Sequence, residues 1–358
     1  MKKLTATYKQ YLQRKSEFEI TKRNSFSKLR AKKKRAHEKH SIRIARATVV
    51  KLYAPVHFAL GITEADADVG YPRTRLQLLS FIQNIKTALK DGKSVQISFK
   101  RTEQLSTCGT IVFVAELEKI LRKYPGKVSC DYPNDDVVEQ LFQHIGLLER
   151  LGLTPRKAIT AENVRHWSYV YGTTVDTTEF KSLFSRYSTE LSEEVRSGLF
   201  DGMSEAVTNS FQHAYPCKHL EDCDCEKGWW MFAKQTGNLL SVVMYDMGIG
   251  IPASLERKPE IREWLTTPYR RLKKRHDTLF IDVAVESNRT STRLPHRGKG
   301  LKEMLEFVKE GHVGGFSIYS RAGAFSYSAE DKVERGRDFE VPIKGTFIRW
   351  EIPLTVQK

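Results

Sequence analysis

The residues best suited to chemistry lie in residues 199–214, LFDGMSEAVTNSFQHA. At about 100° per residue, Glu205, Asn209 and His213 fall within about 80° of one another on a helix. Leu199, Met203, Val207, Phe211 and Ala214 take the opposite side, which predicts an amphipathic helix with a packed back. The polar front carries a carboxylate, an amide and an imidazole, each a turn apart. A carboxylate can take a proton or orient a water, and an amide oxygen is a hard ligand suited to Mg²⁺. The same residues would also serve as an ordinary solvated helix face, so the stretch needs corroboration from the rest of the chain.

Three glycine motifs supply it. Residues 239–251, LLSVVMYDMGIGI, read as an apolar strand that delivers Asp246 to a turn containing Gly248 and Gly250. A carboxylate there can accept from an exocyclic amine, and the glycines let a flat ring approach the backbone. Residues 297–301, RGKGL, open a helix predicted to run to Lys309. Glycines at a helix N-terminus offer backbone N–H groups to an anion, and Lys299 adds a point charge. Gly345 and Thr346 then begin a final strand in which Phe347, Arg349 and Glu351 alternate with Ile348, Trp350 and Ile352.

The order E-x-x-x-N-x-x-x-H, D-x-G-x-G-I, G-x-G-L and G-T before a strand resembles the GHKL ATPases, the group of gyrases, histidine kinases and related chaperones. The resemblance covers residues from Val164 to Pro353 and implies a Bergerat α/β sandwich that binds ATP with Mg²⁺. It implies Glu205 as general base or water-orienting residue and Asn209 as ligand to the Mg²⁺ bridging the ATP phosphates. Asp246 would pair with the adenine amine, with Gly248 and Gly250 shaping the pocket. Gly298, Lys299, Gly300 and Leu301 would hold phosphate, and Thr346 would lie near the adenine. His213 falls where a basic residue reaches phosphate in some members, although a structural histidine fits there equally. The text EAVTNSFQHAY looks closest to the anti-sigma factor serine kinases. The resemblance places an ATP lid at residues 252–296, longer than in the compact anti-sigma kinases and including YRRLKKR at 269–275 and SNRTSTR at 287–293. Its basic residues could close over the γ-phosphate.

Upstream elements alternate. Strand-like stretches at 49–60, 94–99 and 127–132 are separated by helical spacing at 75–90 and 110–123, and a further helix is expected over 135–151, begun by Asn134. The succession predicts a small α/β domain over residues 47–155. It resembles the STAS domain of anti-sigma factor antagonists, in which the serine before a glycine at a strand-to-helix turn is phosphorylated. The matching residues are Ser106, Thr107, Cys108 and Gly109, so Cys108 takes the phosphorylated position and the family's aspartate is missing. Between this domain and the polar helix, strands are expected at 167–170 and 173–175 and a helix at 179–188.

The charge of +16 is uneven: Met1 to Arg46 holds 16 Lys or Arg and three Glu, which is +13 and leaves +3 for the rest. Residues 1–46 are therefore read as a basic extension, helical or disordered. Its densest part, KLRAKKKRAHEK from Lys28 to Lys39, suits nucleic-acid phosphates, and equally an acidic protein surface or anionic lipid. Cys217, His219, Cys223 and Cys225 are zinc ligands by type, but their spacing fits no common zinc module. Five cysteines do not form a secreted framework, and no apolar run approaches the roughly 18 residues of a membrane span. A cytoplasmic protein is expected.

The expectation is an α/β (α+β) chain of three parts: the basic extension, the STAS-like domain, and a GHKL domain over 156–358. Its expected function is an ATP-hydrolysing regulatory switch, coupled to a protein or nucleic-acid partner. A serine/threonine kinase of the anti-sigma type and a non-catalytic ATP-holding adaptor are the alternatives.

Overall fold

The computed structural model describes residues 48–61, 73–176, 178, 180, 187, 190–216, 227–257, 276–286, 300–311 and 313–354. The basic extension, the 217–225 cysteines and histidine, Gly298, Lys299, both basic stretches of the expected lid, and most of the helix expected at 179–188 lie outside them.

The first unit is a parallel sheet of three strands in the order β1–β3–β5. These are β1 (Val49–Tyr53), β3 (Ser94–Ser98) and β5 (Val128–Cys130), with a short parallel pair β2 (His57–Phe58) and β4 (Gln104–Leu105) beside them. Parallel pairing requires crossovers, supplied by α1 (Arg73–Lys90) and α2 (Thr107–Lys123). The helix expected over 135–151 is in fact two, α3 (Asp136–His144) and α4 (Leu147–Arg150). Gly146 separates them at φ +70°, and the cap is Asp135 rather than Asn134, its carboxylate accepting from the Val138 N–H at 2.9 Å.

After the short α5 (Glu162–Arg165), a seven-stranded sheet begins at β6 (Trp167–Gly172). Residues 173–175, expected as a strand, are bends. The sheet continues through β7 (Trp229–Thr236), β8 (Leu239–Asp246), β9 (Gly315–Ser320), β10 (Gly323–Ser328), β11 (Val333–Asp338) and β12 (Thr346–Pro353). Its order is β11–β10–β9–β12–β8–β7–β6, and every neighbouring pair is antiparallel. The connecting helices are α6 (Glu193–Asn209, continued by a π turn over Ser210–Ala214), α7 (Gly250–Leu255), α8 (Asp277–Glu286) and α9 (Gly300–Lys309).

Side chains alternate across this sheet and both faces are buried. Met231, Val242, Met244, Ile318, Ile348 and Trp350 pack with Leu199, Met203 and Val207 of α6 and with residues of α8 and α9. Phe232, Val243, Tyr245, Tyr319 and Phe347 share the other core with the first unit, where α2 lies against β7 and β8. Glu118 of α2 pins that junction. Its buried carboxylate accepts from the Trp230 indole N–H at 2.8 Å, from the Tyr169 hydroxyl and from Arg150. Pairing of this kind is what makes a carboxylate tolerable inside a core. No helix among the described residues is long and apolar enough to cross a membrane.

Candidate functional site

Helix α6 is the spine of the site. Ser192 caps its start, the hydroxyl accepting from the Val195 N–H at 3.2 Å. Leu199, Met203 and Val207 are fully buried behind it, while Glu205 and Asn209 are half-buried on the other side. Gly198, Gly202, Glu205 and Asn209 follow one another at spacings of four, three and four, so they form one stripe. The two glycines let α9 come close: a β-carbon at Gly198 would stand 2.3 Å from the Phe307 ring, and one at Gly202 would meet Met304 at 3.5 Å.

That approach carries the first residue of α9 onto Glu205. A β-carbon at Gly300 would lie 2.0 Å from Glu205 Cγ and 2.3 Å from Oε1, so only glycine fits. The second glycine of the G-x-G-L motif therefore meets the polar face of α6 at its carboxylate. One turn along, Asn209 Nδ2 donates to Glu205 Oε1 at 3.2 Å. This contact turns the amide oxygen away from the carboxylate, so the oxygen can accept from or ligate another group.

At its far end α6 widens into the π turn, which includes His213. The Ala214 carbonyl accepts from the Ile249 N–H at 2.9 Å, and a β-carbon at Gly248 would stand 2.3 Å from Ala214 Cβ. The D-x-G-x-G turn thus rests on the end of the same helix whose middle meets Gly300. Single π turns recur at functional sites.

Asp246 closes β8 between Trp229 of β7 and Thr346 of β12. It is 5% exposed. Burial pushes its carboxyl up to about 7, against the pull of hydrogen bonds from the Gly248 and Thr346 backbone N–H groups, the former at 2.8 Å. A fixed acceptor at the end of a central strand, with glycine backbone on both sides, suits recognition of a planar donor. Gly250, at φ +81°, lies against Ser320, whose Oγ accepts from the Ile251 N–H at 2.8 Å. The same hydroxyl lies 3.2 Å from the Gly345 carbonyl and 3.0 Å from Thr346 Oγ1. One buried hydroxyl therefore ties Ile251, next to Gly250, to Gly345 and Thr346.

Sequence reasoning missed Ser320, and nothing in SIYSR marks it. It also passed over Tyr215, although that residue closes the quoted text EAVTNSFQHAY. The Tyr215 hydroxyl donates to the Gly228 carbonyl at 2.7 Å and accepts from the Met247 N–H at 3.1 Å, fixing the residue next to Asp246. Leu301 packs at the edge of the core behind α6.

Two outcomes follow from this geometry. The first concerns pH. An unfolded aspartate ionises near its ordinary value of 3.8, whereas Asp246 holds its proton to about 7. Between pH 6 and 8 only the folded chain must release this proton, so the group makes the fold less stable as pH rises. The expected contribution is on the order of 1 kcal/mol over that window. Thermal midpoints of ligand-free wild type and Asp246→Asn at the two pH values measure it: the wild type should lose more stability on going to pH 8. The second concerns Gly345, at φ +76°, where a β-carbon would stand 1.9 Å from the Asp246 carbonyl oxygen. Gly345→Ala adds left-handed strain to a clash with paired backbone, and denaturant unfolding should record a loss of about 3 kcal/mol or more.

No family model matches this sequence, and no curated protein matches it.

Proposed function

We propose that the chain binds ATP with Mg²⁺ along α6 and hydrolyses it, acting as a nucleotide-driven switch on a protein or nucleic-acid partner. The observation that carries this reading is the meeting of motifs far apart in sequence on a single helix. Gly300 lies on Glu205 in the middle of α6, and Gly248 lies on Ala214 at its end, beside Asp246 and Thr346. Ala214 lies nine positions after Glu205, a span of about 13 Å, which matches a nucleotide lying with its base at Asp246 and its phosphates at Gly300. This is the arrangement implied by the resemblance to GHKL ATPases.

In this reading Asp246 accepts the exocyclic amine of adenine. The start of α9 offers backbone N–H groups to the phosphates, and Glu205 orients the attacking water and takes its proton. Asn209 would hold Mg²⁺ through its amide oxygen, and the ion would neutralise phosphate charge.

The turn at 106–109 favours hydrolysis over transfer to the chain's own first unit. Cys108 is 1% exposed and belongs to the core. Ser106 is the cap of α2, its hydroxyl donating to the Phe58 carbonyl at 2.8 Å and accepting from the Gly109 N–H at 3.1 Å. Thr107 is buried. Incubation with γ-labelled ATP and Mg²⁺ tests the reading: free phosphate is expected, without label on the protein. Stoichiometric phosphate on Ser106 or Thr107 would overturn it in favour of a kinase.

A further inference from the structure

Residues 339–345, FEVPIKG, run from β11 into Thr346 and carry the glycine that rests on Asp246. The segment is held before it reaches the site. The Phe339 N–H donates to the Ala322 carbonyl at 2.7 Å and the Ile343 N–H to the Arg321 carbonyl at 2.9 Å, tying it to the turn between β9 and β10. From β8, the Tyr245 hydroxyl donates to the Lys344 carbonyl at 2.8 Å.

A further hold comes from the other unit, 266 residues earlier in the chain. Arg75 of α1 is 2% exposed. Its Nε donates to the Val341 carbonyl at 2.8 Å, Nη1 lies 3.4 Å from the Leu60 carbonyl, and the guanidinium stands 4.1 Å from the centre of the Phe339 ring. A buried cation is tolerated only where its donors and faces are used. The packing of α1 on its own sheet does not call for one, since Leu78, Ile82 and Ile85 supply the apolar face. The planar fork of an arginine matches a carbonyl beside an aromatic ring, a geometry lysine cannot reproduce.

We infer that Arg75 is a positioning residue for the candidate nucleotide site. By fixing the Val341 carbonyl and the Phe339 ring, it sets where Gly345 and Thr346 stand against Asp246. The first unit is thereby built into the adenine end of the site. The inference rests on the nucleotide reading above. It predicts an effect on binding rather than on chemistry, because Glu205 and Gly300 meet at the middle of α6, away from its Ala214 end beside Asp246. By linkage, a nucleotide that orders this segment also tightens the hold of α1 upon it.

The test compares wild type, Arg75→Ala and Arg75→Lys as full chains, with ATP titration, steady-state turnover, and amide exchange of the ligand-free protein. Arg75→Ala should weaken ATP binding about tenfold and raise KM in parallel, with kcat within about twofold. Arg75→Lys should recover part of the affinity, and exchange should quicken over residues 339–346 in both variants. If Arg75→Ala does not fold, Arg75→Lys decides, with an expected loss of about threefold at unchanged kcat. Wild-type affinity and exchange in the folded lysine variant, or a fall in kcat at unchanged KM, would overturn the inference while leaving the nucleotide reading intact. Failure of the wild type itself to bind ATP would remove both, and the wild-type titration alone reports that.

Discussion

Replacing Asp246 by alanine is expected to abolish adenine-nucleotide binding, with a loss of at least about 100-fold in affinity. In the proposed function the carboxylate is the acceptor at the end of the inner strand β8, held by the Gly248 and Thr346 N–H groups and closed in by Gly345. Its removal leaves the exocyclic amine of the base facing a site with no charged acceptor. Asp246→Asn keeps the shape and an acceptor for the Gly248 N–H but loses the charge, so an intermediate loss is expected. Affinity in the wild type should also rise with pH through about 7, as the carboxyl ionises, and this dependence should vanish in the asparagine variant. Circular dichroism establishes that each variant is folded. Undiminished ATP affinity in a folded Asp246→Ala protein would dismiss the adenine assignment.

Glu205→Gln carries the largest expected effect on turnover. The substitution keeps an oxygen for Asn209 Nδ2, which lies 3.2 Å away, and keeps the volume that excludes a side chain at position 300. It removes only the ability to take a proton. A base acts on the transition state more than on bound ATP, so kcat should fall by about 10²–10⁴ while affinity stays within about threefold. Single-turnover hydrolysis and equilibrium binding measured on the same preparation separate the two. A wild-type rate in Glu205→Gln would assign the proton transfer to another group.

Much of the candidate site's geometry was legible because its residues are short-range signals. The 3.6 period of residues 199–214 placed Leu199, Met203 and Val207 behind Glu205 and Asn209, and the apolar run into Asp246 marked the end of a strand. Glycines at 248, 250 and 300 were legible as motif members, but the reason each must be glycine was not. Those reasons are contacts with Ala214, Ser320 and Glu205, all distant in sequence. Strand β7 went unread because WWMFA has no alternation, and it has none because both faces of the sheet are covered. The break at Gly146 was hidden by apolar residues that continue at helical spacing on either side of it. Arg75 gave no signal, since a basic residue near the start of an ordinary amphipathic helix reads as solvent-facing until its partners at Phe339 and Val341 are known. Position 108 was legible in identity but not in burial.

In the proposed function α6, Asp246 and the start of α9 together form one nucleotide site. Calorimetric titration of the full wild-type chain with ATP and with GTP, each with and without Mg²⁺, tests it most directly. Saturable one-to-one binding of ATP is expected, tightened by Mg²⁺, with GTP weaker by about tenfold or more, because the guanine edge presents a carbonyl where Asp246 requires a donor. A folded protein that gives no heat with ATP, or binds GTP as tightly, would contradict it.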